Sequence, residues 1–257
     1  MRAGVNRLKA RDVGRPQAKV LSSEMSRLLG AIRRAERAGP ELDLVASFLK
    51  TSILPTPPRC DIAIFQEPKL PSGFPDLVVV FWRRDIVRSW ATSRAELQTD
   101  DIRLAHYLSQ VGPVSLLELQ ETFGKKAQRS AERLLAAGVL KTKRDKWILG
   151  ALDEIFAVKQ LIAIEAKVSE WRAGLKQAWL NTWFASDSYL LIPRIPRGGA
   201  VLDCARELGI GVCTDRSRVM KPTCRPPLPA SYGSWLFNEW VGRIPAAAGR
   251  DGKWAEC

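Results

Sequence analysis

Histidine is almost missing from this chain: His106 is the single one among 257 residues. Its scarcity argues against Ser-His-Asp arrangements and histidine general bases. Cysteine is little better represented for chemistry. Cys60, Cys204, Cys213, Cys224 and Cys257 are scattered, odd in number and never spaced as Cys-x-x-Cys. Together these absences leave almost no vocabulary for a zinc site. The thiols read as free cysteines of a reducing cytosol, which places the protein in the cytoplasm. No apolar run reaches the length of a bilayer crossing, and the first residues are too polar for a secretory leader. Internal repeats and long low-complexity tracts are also lacking. Acidic residues are in deficit, with 27 Asp and Glu against 40 Lys and Arg, a formal charge of +13. Such an excess points to a polyanionic partner. Nucleic acid is favoured over a membrane, because no long basic amphipathic helix with a broad apolar face is present. With 46% apolar residues, the chain can bury one large core or a core with a smaller inserted one.

What is present is concentrated around residues 160–177. Residues 161–166 form a short apolar run, the signature of a buried strand. Side chains alternate along a strand, so Glu165 and Lys167 project to the same side at its end. Ser169 has the chemistry to cap a following helix, and Trp171, Leu175, Ala178, Trp179 and Thr182 predict one buried face for it. A carboxylate and an ammonium at a strand end, facing a helix N-terminus, suit a hard cation and a phosphate. The best second carboxylate is Asp76, which follows Pro75 and precedes the β-rich run 77–82. Residues 61–65 form a partner strand, so Asp76 is expected at the loop end of an antiparallel hairpin. Glu67 in the same loop is a further candidate. Glu24, Glu36 and Glu41 belong to a helical stretch from 21 to 49, in which Leu28, Leu29 and Ile32 share a side. They could approach the site too, and nothing local selects one of them.

Between Asp76 and Glu165 lies an interval with its own pattern. Leu104, Ala105, Leu108 and Val111 mark a first short helix ended by Gly112-Pro113. Ser115 through Glu118 reads as a capping box with Val114 and Leu119 as its staple, opening a second helix. Ala127, Ala131, Leu134 and Leu135 give the inner face of a third. Apolar pairs then flank residues 141–146, a basic β-hairpin. Three short helices and a hairpin in this order resemble a winged helix-turn-helix. Lys125, Lys126, Gln128, Arg129 and Arg133 would lie on its third helix, and Lys141, Lys143, Arg144 and Lys146 on its wing. Residues 125–146 hold eight basic and two acidic side chains, a net +6, as expected for contact with DNA.

Pro75-Asp76 and Glu165-Ala166-Lys167, in their strand and hairpin contexts, resemble the motif of the PD-(D/E)XK nuclease superfamily. The resemblance covers roughly residues 21–214 without the inserted segment, and that large insert is its main departure from the family pattern. It implies an α/β, restriction-endonuclease-like mixed β-sheet flanked by helices, with an inserted winged-helix-like α+β subdomain. The expected divisions are a basic flexible arm at 1–19, a nuclease-like domain at 20–98 and 150–245, an insert at 99–149 and a flexible tail at 246–257. The implied activity is metal-dependent endonucleolytic hydrolysis of DNA phosphodiesters. Asp76 and Glu165 would hold Mg²⁺, or Mn²⁺ in its place, with the Ala166 carbonyl as a third ligand. Lys167 would position or activate water and stabilise the transition state as a cation, and Gln177 would orient the same group or the DNA backbone. The rival expectations are a catalytically inactive DNA-binding protein of the same fold, and a protein-interaction subunit of a defence or repair assembly. A homodimer is left open by the sequence.

Overall fold

The computed structural model describes residues 18–34, 38–51 and 57–251. In chain order, β1 (Ala18–Val20), α1 (Ser23–Leu28) and α2 (Pro40–Thr51) precede a hairpin of β2 (Asp61–Gln66) and β3 (Leu77–Trp82). The excursion that follows holds α3 (Arg84–Arg88), a 3₁₀ turn (Thr92–Glu96), α4 (Thr99–Val111), β4 (Val114–Ser115), α5 (Leu116–Phe123), α6 (Ala127–Ala136), β5 (Leu140–Lys143), β6 (Lys146–Leu149) and α7 (Leu152–Ile155). The chain then runs through β7 (Val158–Ala166), α8 (Trp171–Asn181), β8 (Asp187–Leu191), α9 (Ala200–Glu207), β9 (Gly211–Cys213), β10 (Arg218–Met220) and α10 (Tyr232–Asp251).

The fold is mixed α/β. Seven strands form one mixed sheet in the order β1-β2-β3-β7-β8-β9-β10. All six residues of β3 are buried, which is why it reads as an unbroken apolar run: helices cover both faces of the sheet at this strand. On one face Leu44, Val45 and Phe48 of α2 meet Ile62, Ile64, Val79 and Ile162. On the other, Trp235, Phe237 and Trp240 of α10 meet Phe65, Val78, Val80 and Leu161. β7 and β8 are parallel and joined through α8, as a strand–helix–strand crossover. Leu175 and Ala178 seat that helix on Leu190.

Arg83 N–H donates to Ala157 O at 3.0 Å, so the excursion begins and ends at one point beside β3 and β7. Within it, β4, β6 and β5 form a small three-stranded sheet against α4, α5 and α6. The capping box is present: Ser115 Oγ accepts from Glu118 N–H, and Glu118 accepts from Ser115 N–H. The β5–β6 hairpin turns through Arg144 and Asp145, both at positive φ (52° and 58°), the backbone a two-residue primed turn requires. Leu104, Leu108, Leu119, Leu134 and Leu140 form an apolar interior that is continuous with the α10 side of the sheet. The lone His106 is a half-buried packing residue of α4.

Several expectations are corrected. Residues 18–20 of the anticipated arm are a strand parallel to β2; residues 1–17 lie outside the described residues. α1 stops at Leu28, because Gly30 takes φ +82° and residues 32–33 run beside the loop, with Lys69 N–H donating to Ile32 O at 2.8 Å. The side shared by Leu28 and Ile32 is therefore exposed, at 56% and 63%, while Leu29 is buried. β10 pairs antiparallel with β9 and was not anticipated. The tail expected to fray from residue 246 continues as helix to Asp251, through Pro245, in an Ala-rich stretch of high helix propensity; residues 252–257 lie outside the described residues.

Candidate catalytic cleft

The antiparallel register between β3 and β7 pairs Leu77 with Ile164, so one step further Asp76 stands opposite Glu165. Alternation then puts both carboxyl groups on the α8 side of the sheet, where opposed side chains are about 5 Å apart at Cβ. Asp76 Oδ2 accepts the Ala166 N–H at 2.7 Å, which fixes its carboxyl against the end of β7. In extended backbone the N–H and C=O of one residue leave the strand on the same edge, so the Ala166 carbonyl is directed toward Asp76 as well. Lys167 follows, its N–H bonded to Leu191 O and its Nζ 3.4 Å from both Glu165 Oε1 and Glu41 Oε1. Of the three acidic residues of the first helical stretch, the fold thus selects Glu41, in the first turn of α2. Glu36 lies outside the described residues, and Glu24 is not part of the cleft.

Asp76, Glu165, Lys167, Gln177, Glu41 and Glu67 line one cleft of about 310 Å³, with Arg33 and Arg34 at its rim. All four residues expected to carry catalysis and the additional Glu67 therefore meet. Glu67 holds φ +43°, and its N–H bonds Asp76 O at 3.0 Å, so the loop end of the hairpin is tied beside the acidic pair. Ser169 does not cap α8. The N-cap is Glu170 in a left-handed conformation with no side-chain cap bond, and the first turn of the helix is left to solvent or ligand. α8 instead presses on the site through Gly174, where a Cβ would stand 2.6 Å from Lys167 Cγ and from Leu190 Cδ1. Gly174→Ala should therefore lower the melting temperature, although alanine is the better helix former by about 1 kcal/mol. A thermal melt in which the variant gained stability would show that this approach is loose.

Electrostatics in the cleft follow from burial. Glu165 is only 3% exposed. Burial, and then the neighbouring Asp76 carboxylate, push its pKa up to about 8 against the pull of Lys167. Burial raises Asp76 too, opposed by the Ala166 N–H and Lys167. Burial depresses Lys167, but the carboxylates of Glu165, Asp76 and Glu41 more than offset it, so its pKa is raised and the ammonium is kept. A buried and a half-buried carboxyl group that repel each other, with an amide and a backbone carbonyl beside them, are a donor set that Mg²⁺ accepts, since it needs only one or two carboxylates. Among the described residues no three of His, Cys, Asp and Glu converge as a larger metal-binding cluster.

The sign of the pH dependence is fixed. A carboxyl group whose folded pKa exceeds its unfolded value holds more protons when folded, so stability falls as pH rises between those values. Without divalent ions the protein should lose up to a few kcal/mol from about pH 4.5 to about pH 8, the span between the ordinary Glu value and that of Glu165. Glu165→Gln should flatten the trend, and Mg²⁺ should raise the melting temperature more at pH 8 than at pH 5.5. Melts with equal Mg²⁺ effects at both pH values would contradict the fit of the ion to this pair.

The basic side chains of residues 125–146 all reach the surface, and two of them are also paired with carboxylates. Lys125, Lys126, Arg129, Lys143, Arg144 and Lys146 are exposed. Arg133 is exposed as well, at 43% of its side chain, while its Nε and Nη2 donate to the fully buried Asp101 at 2.9 and 2.6 Å. Gln128 bonds Glu132 at 3.0 Å, and Lys141 pairs with Glu154 at 3.3 Å. Cys60, Cys204, Cys213 and Cys224 are free thiols. No helix among the described residues is long and apolar enough to cross a membrane. No family model matches the chain, and neither a curated protein nor a solved structure is significantly similar to it.

Proposed function

We propose that the protein is a Mg²⁺-dependent DNA nuclease of the PD-(D/E)XK type, with the winged-helix-like insert gripping the substrate. The observation that carries this reading is the cross-strand pairing of Asp76 with Glu165, with the Lys167 ammonium at the same sheet end. Asp76, Glu165 and the Ala166 carbonyl would hold the cation. When bound, it supplies a water of lowered pKa and offsets charge on the phosphate. Glu41 and Glu165 fix Lys167 Nζ as a protonated donor. That favours its role as a cation facing the phosphoryl oxygens over that of a base taking a proton from water. Gln177 Nε2, on the solvent side of α8, can donate to a phosphate or to the attacking water. Arg33 and Arg34 at the rim suit the flanking backbone.

Purified protein should cut DNA with Mg²⁺ and not with EDTA, assayed over linear, nicked, branched and single-stranded DNA and over RNA. No metal-dependent cleavage of any of them would overturn the reading. It would favour the second one, a DNA-binding protein of the same fold without turnover. The insert gives a separate test. Lys126→Ala with Arg129→Ala should weaken DNA affinity and reduce the slope of log affinity on log salt by about two. An unchanged slope would make this face a protein-binding one, as in a defence or repair assembly.

A further inference from the structure

On the flank of α8 away from the cleft lies a groove of about 230 Å³ lined by Trp171, Leu175, Trp179, Arg172, Lys176 and the α9 residues Cys204 and Leu208. The helical spacing predicts Trp179 to be core, yet it is 49% exposed. Leu175 and Ala178 fill the space against the sheet, and the large ring is left on the surface. The groove offers two cations and no carboxylate. The Arg172 guanidinium lies 4.3 Å from the centre of the Trp171 ring, so its charge is held over the groove. Of the two acidic residues of α9, neither of which lines the groove, Asp203 is paired with Arg206 at 2.8 Å.

Helical geometry connects this groove to the cleft. Successive residues turn by about 100°, so Gln177 faces the cleft, Lys176 and Arg172 cross the exposed back of the helix, and Trp179 sits on the far flank. A helix is about 10–12 Å across with its side chains, roughly two nucleotides of extended strand. Resting on the nuclease reading, we propose that the Trp171–Trp179 groove is a stacking site for unpaired bases of the DNA strand that leaves the cleft over α8. Its phosphates would meet Lys176 and Arg172, and its bases would lie against Trp179. An intact duplex cannot present a base face to that ring, because every base is stacked within the helix. The preferred substrate would then carry a single-stranded segment beginning about two nucleotides from the scissile phosphate.

The test is binding of a fluorescent single-stranded oligonucleotide, an overhang duplex and a blunt duplex, measured by anisotropy with EDTA so that turnover plays no part. Wild type should prefer the first two, with quenching of tryptophan emission. Trp179→Leu should weaken single-strand affinity about tenfold, and Trp179→Phe should retain most of it, since stacking needs a ring rather than bulk. Leu117→Ala, at an exposed position on α5, is the surface control. Equal single-strand affinity of wild type and Trp179→Leu would overturn the proposal while leaving cleavage at the Asp76–Glu165 site untouched. Loss of self-association instead, read by sedimentation, would also overturn it and assign the groove to a second copy of the chain. Absence of all cleavage with the stacking preference intact would count against the nuclease reading alone.

Discussion

Lys167→Ala should leave the protein folded and able to bind DNA while slowing Mg²⁺-dependent cleavage by at least about 10²–10³-fold, the usual cost of losing one well-placed donor to developing charge. Folding should survive because the variant removes a cation from between carboxyl groups that can take up protons. Glu165 already titrates at about 8, and without Lys167 it would be held protonated over a wider range. Lys167→Arg is not a conservative control, for the longer planar fork cannot occupy the point between Glu165 and Glu41 that a compact ammonium fills. Single-turnover cleavage against oligonucleotide affinity separates the two effects. If the alanine variant cuts as fast as wild type, this cleft is not where the phosphodiester is hydrolysed.

The second large effect concerns stability. Arg94 is 3% exposed in the 3₁₀ turn before α4. Its Nε and Nη2 donate to Glu239 at 3.0 and 2.7 Å, and Nη2 also to Ile155 O at 2.6 Å. Its guanidinium carbon stands 3.4 Å from the centre of the Trp90 ring. Asn238 extends the network, bonding Glu239 and Ile155 O through Nδ2 and accepting the Ala157 N–H at 2.8 Å. The cluster joins α10 to both stems of the insert. Arg94→Ala would strand the Glu239 carboxylate in the interior, at a cost of about 3–5 kcal/mol. The paired change Arg94→Met with Glu239→Leu should recover most of that loss, because apolar packing often replaces a buried ion pair at little cost. Denaturant melts that place Arg94→Ala within about 1 kcal/mol of wild type, the usual size of a surface substitution or less, would contradict the picture.

Those two sites differ in how far the sequence discloses them. Asp76, Glu165 and Lys167 were legible because each borders a strand whose apolar run is unmistakable, and β alternation then orients the charges. Their meeting was expected through the family resemblance rather than from any local signal, since the β3–β7 register spans the whole insert. Glu41 escaped selection because its place depends on where α2 docks on the sheet. Arg94 and Glu239 carry no pattern at all: a buried ion pair joins residues 145 positions apart, and either alone looks like a surface charge. Arg133 shows the same limit in reverse. Amphipathic spacing put it with Arg129 on the outer face of α6, where it is indeed exposed, but its guanidinium is held by the buried Asp101 of α4, which nothing local announces. Trp179 inverted the usual expectation for a large ring on a helix. Smaller neighbours had already filled the contact with the sheet.

The hydrogen bond between Arg83 and Ala157 has a kinetic consequence. Joining the central strands directly would require closing a long disordered loop, a search that slows folding even though its entropy grows only logarithmically with length. If the helices and hairpin between them condense first from their short-range contacts, their ends are already neighbours, and the late step becomes the zipping of two adjacent strands. Pulsed hydrogen exchange during refolding should then protect the amides of α4 and α6 before those of β3 and β7.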